Sequence, residues 1–253
     1  GSNPLKWIIF YPIEYVLSFI TDTLIVINKE DIELSRNFHA KHTYYVPGVG
    51  IDVKGALAVS ASKKTQNAIQ ERQKLGLKNS NLNILTVGEL SKRKNQIVIL
   101  KAISRISSKN IQLYIAGVGS EKDNLQKMAI RLNVDSQVHL LGYRNDITDL
   151  HYAFDVNVFP SLQEGLALAG LESVVDGLYI IGSDIRGIKD YIPNIGVGET
   201  FNPQRPDELS NIIQCFIKNP RKVDLRANSN FLKRFDKTKV DAKMIEIYSL
   251  YKS

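Results

Sequence analysis

Cysteine is almost absent: Cys215 is the only one in 253 residues. An intrachain disulfide and a cysteine-rich zinc site are therefore both excluded, and the chain reads as intracellular. Histidine is scarce as well. His39 and His42 stand three apart with no acidic or third histidine partner at ligand spacing, so they read as surface residues of a helix end. His139 falls in a strand pattern. No Asp-x-Asp occurs anywhere, which removes the usual clamp for a divalent cation on a polyphosphate, and no metal or cofactor is expected. A G-x-G-x-x-G is also lacking: Ala116-Gly117-Val118-Gly119-Ser120 has no third glycine, which argues against a dehydrogenase. The most apolar stretch, Trp7–Ile20, holds Pro12 and Glu14 and is shorter than the roughly 20 residues of a spanning helix. It reads either as a helix packed into a core or as a segment lying against a membrane surface.

What is present is a sizeable apolar complement, 43% of residues, enough to fill a real core. The charge is +7, from 33 basic and 26 acidic residues, and suits a nucleotide, a phosphorylated lipid or an anionic membrane equally. Nucleic acid is not an expected partner, because helix-turn-helix, zinc framework and aromatic-interleaved basic stripe are all missing.

From Asn83 onward strand and helix patterns alternate. Strands fall at Ile84–Val87, Gln112–Ala116, Val138–Leu141, Val156–Phe159, Tyr179–Ser183 and Val197–Phe201, with helices at Gln96–Ile106, Lys122–Leu132, Ile147–Tyr152, after Leu168, and at Asp207–Lys218. This period predicts an α/β fold, a Rossmann-like parallel sheet of about six strands with helices on both faces. Such sheets bind ligands at their carboxyl edge. Gly88, Gly117, Gly119 and Gly142 fall at those strand ends. Upstream, a strand Thr23–Asn28, a helix Lys29–Phe38 and a strand Thr43–Pro47 precede Pro47-Gly48-Val49-Gly50-Ile51-Asp52, a hinge by composition. The polar stretch Lys54–Asn81 reads as a connector with a helix Gln66–Leu75 ended by Gly76. The predicted divisions are 1–47, 48–82 as hinge and connector, 83–235 as the main domain, and 236–253 as a C-terminal helix.

The chemistry gathers in Phe159–Glu172, FPSLQEGLALAGLE. Pro160 ends a strand, Gly165 permits close approach, and a helix is expected to begin near Ala167 with its free N–H groups facing back over the loop. Such an end favours an anion. Glu164 and Glu172 flank it eight positions apart.

That spacing resembles the E-x7-E signature of retaining, nucleotide-sugar-dependent glycosyltransferases of the GT-B fold, glycosyltransferase family four. The surrounding PSLQEGLALAGLESVVDGLYIIGSDIRGIKDYI is similar to the family pattern over its whole length. The resemblance implies that Glu172 binds ribose hydroxyls, that Glu164 holds hydroxyls of the donor sugar as a catalytic residue, and that the amides of Gly165 and Leu166 face the diphosphate. Gly142, Tyr143 and Arg144 would rim the base, and Gly88, Gly117, Gly119, Ser161 and Leu168 would complete the donor site. VGELSKRKNQ resembles the family's VGRL-x-x-x-KN/G, which makes Lys94 a phosphate cation and catalytic residue. Glu89 stands where many members have arginine, and Arg93 or Lys92 would have to replace it. By the same resemblance, residues up to about 47 are only the last piece of an acceptor domain, so transfer by this chain alone is expected to be incomplete. The family's front-face mechanism needs neither metal nor side-chain nucleophile. The implied partners are a nucleotide sugar, with uridine as the family's expected base, and a lipid-linked or glycan acceptor in surface polysaccharide or capsule synthesis. The implied location is cytoplasmic, with peripheral contact at the inner face of the membrane. The rival is a non-catalytic nucleotide-binding subunit whose site is completed by a separate chain.

Overall fold

The computed structural model describes residues 4–192 and 196–251. A small unit comes first: α1 (Pro4–Ser18), β1 (Thr23–Val26), α2 (Lys29–Ser35) and β2 (His42–Tyr45), with β1 and β2 parallel and Thr23 opposite His42. The Asn28 side chain caps α2 by accepting from the Asp31 amide at 2.8 Å. The helix stops at Ser35 because Arg36, Asn37 and Phe38 donate instead to carbonyls three residues back, a tightened last turn. His39 and His42 therefore do not share a helix end: His39 stacks on Phe19, and His42 opens β2.

Next come α3 (Val53–Ala58) and α4 (Ala61–Leu75). Gly76, at φ 65°, ends α4 as its sequence position implies. The polar stretch read as a connector is thus mostly helical, and α4 is fastened to residues much further along the chain. The Asn67 amide donates to Asp149 at 2.7 Å, and the Arg72 guanidinium meets the Ala153 carbonyl and the Asp155 carboxylate.

The main sheet is built from β3 (Leu82–Val87), β4 (Ile111–Ala116), β5 (Val138–Gly142), β6 (Val156–Phe159), β7 (Ile180–Ser183) and β8 (Gly198–Phe201). Between them lie α5 (Ile97–Ile103), α6 (Lys122–Arg131), α7 (Ile147–Ala153) and α8 (Leu168–Asp176), and α9 (Pro206–Lys218) follows β8. All neighbours are parallel, in the order β5-β4-β3-β6-β7-β8. The central strands β3, β4, β6 and β7 are buried on both faces, which is why their sequences read as apolar runs rather than alternations, while β5 and β8 at the edges are only half-buried. Ile84, Leu113, Val156 and Ile181 pack under α5, α6 and α9, and Phe159 and Ile180 pack with Leu171 and Val174 of α8. The chain winds outward from β3 through β4 to β5, then returns to place β6 on β3's other side. In sheets of this kind a ligand crevice lies at such a reversal, here the carboxyl ends of β3 and β6.

Two last helices, α10 (Leu225–Leu232) and α11 (Lys237–Ser249), close the chain. The periodicity predicted only the second. Asp224 caps α10, accepting from the Arg226 and Ala227 amides at 3.0 Å. α11 returns to the first unit, packing Val240 and Ile247 on Val46. Beside it, Ile51 donates to the Phe235 carbonyl at 2.9 Å and accepts from the Lys237 amide at 2.8 Å, so the outgoing and returning segments run together.

Candidate active site

The walls of the crevice are the loops that leave β3 and β6. The loop after β4 lies directly against the one after β3: a Cβ on Gly117 would fall 1.9 Å from the Gly88 carbonyl oxygen, and one on Gly119 2.3 Å from that of Leu90. Only glycine permits that approach. The Leu90 amide then donates to the Val118 carbonyl at 2.9 Å. Asn95 takes a left-handed φ of 55° and donates to the carbonyls of Pro160 (3.1 Å) and Pro203 (3.0 Å), tying the β3 loop to the exits of β6 and β8. The Leu162 amide donates to the Arg93 carbonyl at 2.8 Å.

This stitching brings two cations onto one carboxylate. Lys94 Nζ lies 2.7 Å and Arg93 Nη1 3.1 Å from Glu164 Oε1. The Lys94 and Glu164 side chains are only 14% and 10% exposed, which strengthens their attraction relative to a surface pair. Lys94 Nζ also sits 4.9 Å from the centroid of the Phe159 ring. Glu89 and Lys92 are exposed, and the Glu89 carboxylate has no ion-pair partner among the described residues.

The EGL turn is held on both sides. Gly187, at φ 79°, packs so tightly that its Cβ would be 2.0 Å from the Gly165 carbonyl oxygen, and a Cβ on Gly165 would meet Ile27 at 2.8 Å. The Tyr191 hydroxyl donates to the Ala167 carbonyl at 3.3 Å. Ala167 itself is left-handed, at φ 59° and ψ 55°, and α8 starts one residue later. The amides of Gly165 to Ala169 have no acceptor among the described residues. Leu166 is buried in the core, so only its backbone faces the crevice, while Leu168 is half-buried. The Ser161 hydroxyl is buried without a partner, and so are those of Ser91 and Ser183 at neighbouring strand exits. Sequence reasoning missed Ser91 and Ser183, whose only signal was position at a strand end.

One turn into α8, Glu172 reaches solvent beside a recess of about 580 Å³ lined by Ile51, Asn145, Asp149 and Tyr152. Partial burial raises the pKa of its carboxyl, with His151 opposing and Asp176 adding to the effect. Arg144 is not free to read a base. Its Nε donates to Asp146 Oδ1 at 2.7 Å, and its Nη2 donates to Asp146 Oδ2 and to Glu71 Oε1, each at 2.5 Å. Glu71 is a buried residue of α4 that its polar sequence context did not single out. Of the three rim residues, Tyr143 presents an exposed side chain, 78% accessible, and Gly142 donates no bulk. Among the described residues, no three His, Cys, Asp or Glu side chains gather as metal ligands would. A larger recess, about 910 Å³, opens at the opposite, amino edge of the sheet, lined by Lys64, Tyr152, Asp155 and Tyr179.

A family model described as glycosyl transferases group 1 matches residues 67–234. EpsD of Bacillus subtilis (strain 168), which bears a glycosyltransferase's name, is 27% identical over 258 residues, covering 99% of this chain and 66% of that protein. A UDP-Gal:alpha-D-GlcNAc-diphosphoundecaprenol alpha-1,3-galactosyltransferase of Escherichia coli is 31% identical over 65% of this chain and 46% of its own length. The chain thus spans about two thirds or less of these curated relatives. Among solved structures, Anabaena Alr3699/HepE in complex with UDP superposes with a TM-score of 0.78 at 21% identity, over 90% of this chain and 64% of that one. At that identity the likeness speaks for the fold.

Proposed function

Since the chain belongs to the glycosyl transferases group 1 family, we propose that its crevice holds the nucleotide-sugar donor of a retaining, family-four transferase. The carrying observation is the meeting of Lys94 and Arg93, from the exit of β3, with Glu164, from the exit of β6, at the point where the strand order reverses. Lys94, Arg93 and the unpaired amides from Gly165 to Ala169 meet the diphosphate. Glu172 accepts from the ribose hydroxyls, Glu164 from hydroxyls of the sugar, and the backbone around Gly142 and Tyr143 faces the base. Arg144 holds that rim through Asp146 and Glu71 rather than touching the nucleotide.

In this reading the acceptor hydroxyl attacks the anomeric carbon on the face from which the diphosphate leaves. The departing phosphate oxygen takes the hydroxyl proton, so configuration is retained without a side-chain nucleophile. Fixed cations and amides stabilise the leaving charge, and no divalent metal is required. The relatives named for UDP support uridine as the base, and the diphosphoundecaprenol in the E. coli enzyme's name supports a lipid-linked acceptor at the cytoplasmic membrane face, in surface polysaccharide synthesis. Ile8, Phe10, Val16 and Ile20 in and just after α1 are exposed, which supports contact with a membrane or with a further protein surface. Donor binding then belongs to these residues, and the acceptor surface is supplied from outside them.

Calorimetric titration with uridine diphosphate, with and without chelator, tests the reading. Saturable binding that ignores the chelator is expected. Strict dependence on magnesium or manganese would remove the metal-free mechanism, and absence of saturable binding by any nucleoside diphosphate would remove the donor-site assignment. A screen of nucleotide sugars names the sugar.

A further inference from the structure

The two cations placed to meet a diphosphate are already taken. Lys94 and Arg93 both contact the same oxygen of Glu164, at 2.7 and 3.1 Å, and Arg93 also donates to the Gln163 carbonyl at 3.1 Å. A phosphate oxygen arriving at Lys94 or Arg93 competes for their positive charge with a carboxylate already in contact with both. Glu89, exposed on the same loop and without an ion-pair partner among the described residues, adds negative charge rather than relieving it. Two cations and one carboxylate leave a single net positive charge against a multiply charged diphosphate. The surroundings otherwise fit an anion with oxygen-rich substituents. Among the described residues the buried Ser161 hydroxyl has no partner, and the adjoining run of amides has no acceptor.

We propose that Glu164 is an internal counter-ion that a nucleotide sugar, but not a spent nucleoside diphosphate, can displace at little cost. The inference rests on the nucleotide-sugar reading of the crevice and deepens it. An intact donor takes Lys94 and Arg93 with its diphosphate and rehouses the Glu164 carboxylate on its sugar hydroxyls. A nucleoside diphosphate takes the same cations and leaves that carboxylate, only 10% exposed, without its two cationic partners and with no sugar hydroxyls in their place, which is costly. The crevice therefore discriminates between substrate and product through one residue. Once the sugar has left, the return of Glu164 to Lys94 helps to expel the nucleotide.

The experiment is calorimetry of uridine diphosphate and of inorganic pyrophosphate with wild type and Glu164→Gln, the melting temperature of each protein being recorded alongside. Removing the competing charge should tighten both ligands by about ten-fold, the scale of one charge-assisted contact regained. It should also steepen the dependence of affinity on salt. A residue that merely supported the loop could lower affinity or leave it alone, but would not raise it. Should Glu164→Gln melt below the assay temperature, Glu164→Ala makes the same prediction. Unchanged or weaker uridine diphosphate binding in a folded variant overturns the counter-ion role alone. No binding to wild type and variant alike overturns the nucleotide-sugar reading and this inference together.

Discussion

Glu172 carries the residue-scale argument, because its environment works against its ionised form. Partial burial raises its pKa, yet the proposed contact with ribose hydroxyls requires the carboxylate. Glu172→Ala should weaken uridine diphosphate binding by roughly ten- to a hundred-fold, the worth of a charge-assisted hydrogen bond. The same affinity should fall in wild type as pH drops through a range above that of an ordinary glutamate. Stability should respond in the opposite sense. A carboxyl whose folded pKa is raised favours the fold while protonated, and that contribution is lost as pH rises through the folded value. Glu172→Gln, permanently neutral, should therefore melt higher than wild type at neutral pH without ligand, with the gap closing toward about pH 4. A lower melting temperature at neutral pH would instead mark Glu172 as structural. At this scale the sequence told which residues stand at strand ends, since glycine, proline and the two glutamates are local signals. It could not tell that Lys94 would close on Glu164, or that Arg144 would be consumed by Glu71, because both pairs join residues about seventy positions apart.

At the scale of elements, the EGL turn and the rim of the base are positioned by neighbours rather than by their own sequence. Gly187 is the tightest of these supports. Gly187→Ala must put a side chain at φ 79° and push back the Gly165 carbonyl, so a loss of about 2–4 kcal/mol in urea unfolding is expected, along with weaker nucleotide binding. Stability within about 0.5 kcal/mol of wild type would show that the turn is not held there. Glu71 tethers the rim from α4. Glu71→Gln should cost about 2 kcal/mol, less than a fully broken buried pair because Arg144 keeps Asp146. It should also speed hydrogen exchange at Tyr143 and Arg144. The helices that follow apolar periodicity, α6 and α9 among them, were legible within a few residues. α10 was not: it is only eight residues, half of them polar, and its start depends on the Asp224 cap. α2 was read too long because periodicity cannot see a change to a tighter hydrogen-bond pattern.

For the whole molecule, alternating strand and helix patterns predicted a parallel sheet, but strand order lies in pairings that local sequence does not encode. The reversal that makes a crevice between β3 and β6 emerged only in three dimensions, as did the return of α11 to the first unit. That unit offers two strands and an α1 with exposed apolar residues, Ile8 being 66% accessible. If the acceptor surface lies outside these residues, as proposed above, the placement that can supply roughly 7–11 kcal/mol of a barrier is lacking. Mass spectrometry of these residues incubated with a nucleotide sugar and a lipid-linked acceptor should find slow donor hydrolysis and little glycosylated acceptor. Transfer at about 1 s⁻¹ or faster, within the ordinary range of enzymes, would place the acceptor site within them.

The central claim is that a nucleoside diphosphate binds at the carboxyl edge of the sheet, although a larger recess lies at the amino edge. Hydrogen exchange with and without saturating uridine diphosphate, in chelator, addresses it directly. Protection is predicted at the amides of Gly165–Ala169, in the 88–95 loop and around Gly142–Arg144. Protection confined instead to the lining of the amino-edge recess, around Lys64–Arg72 and Asp176–Tyr179, would contradict it.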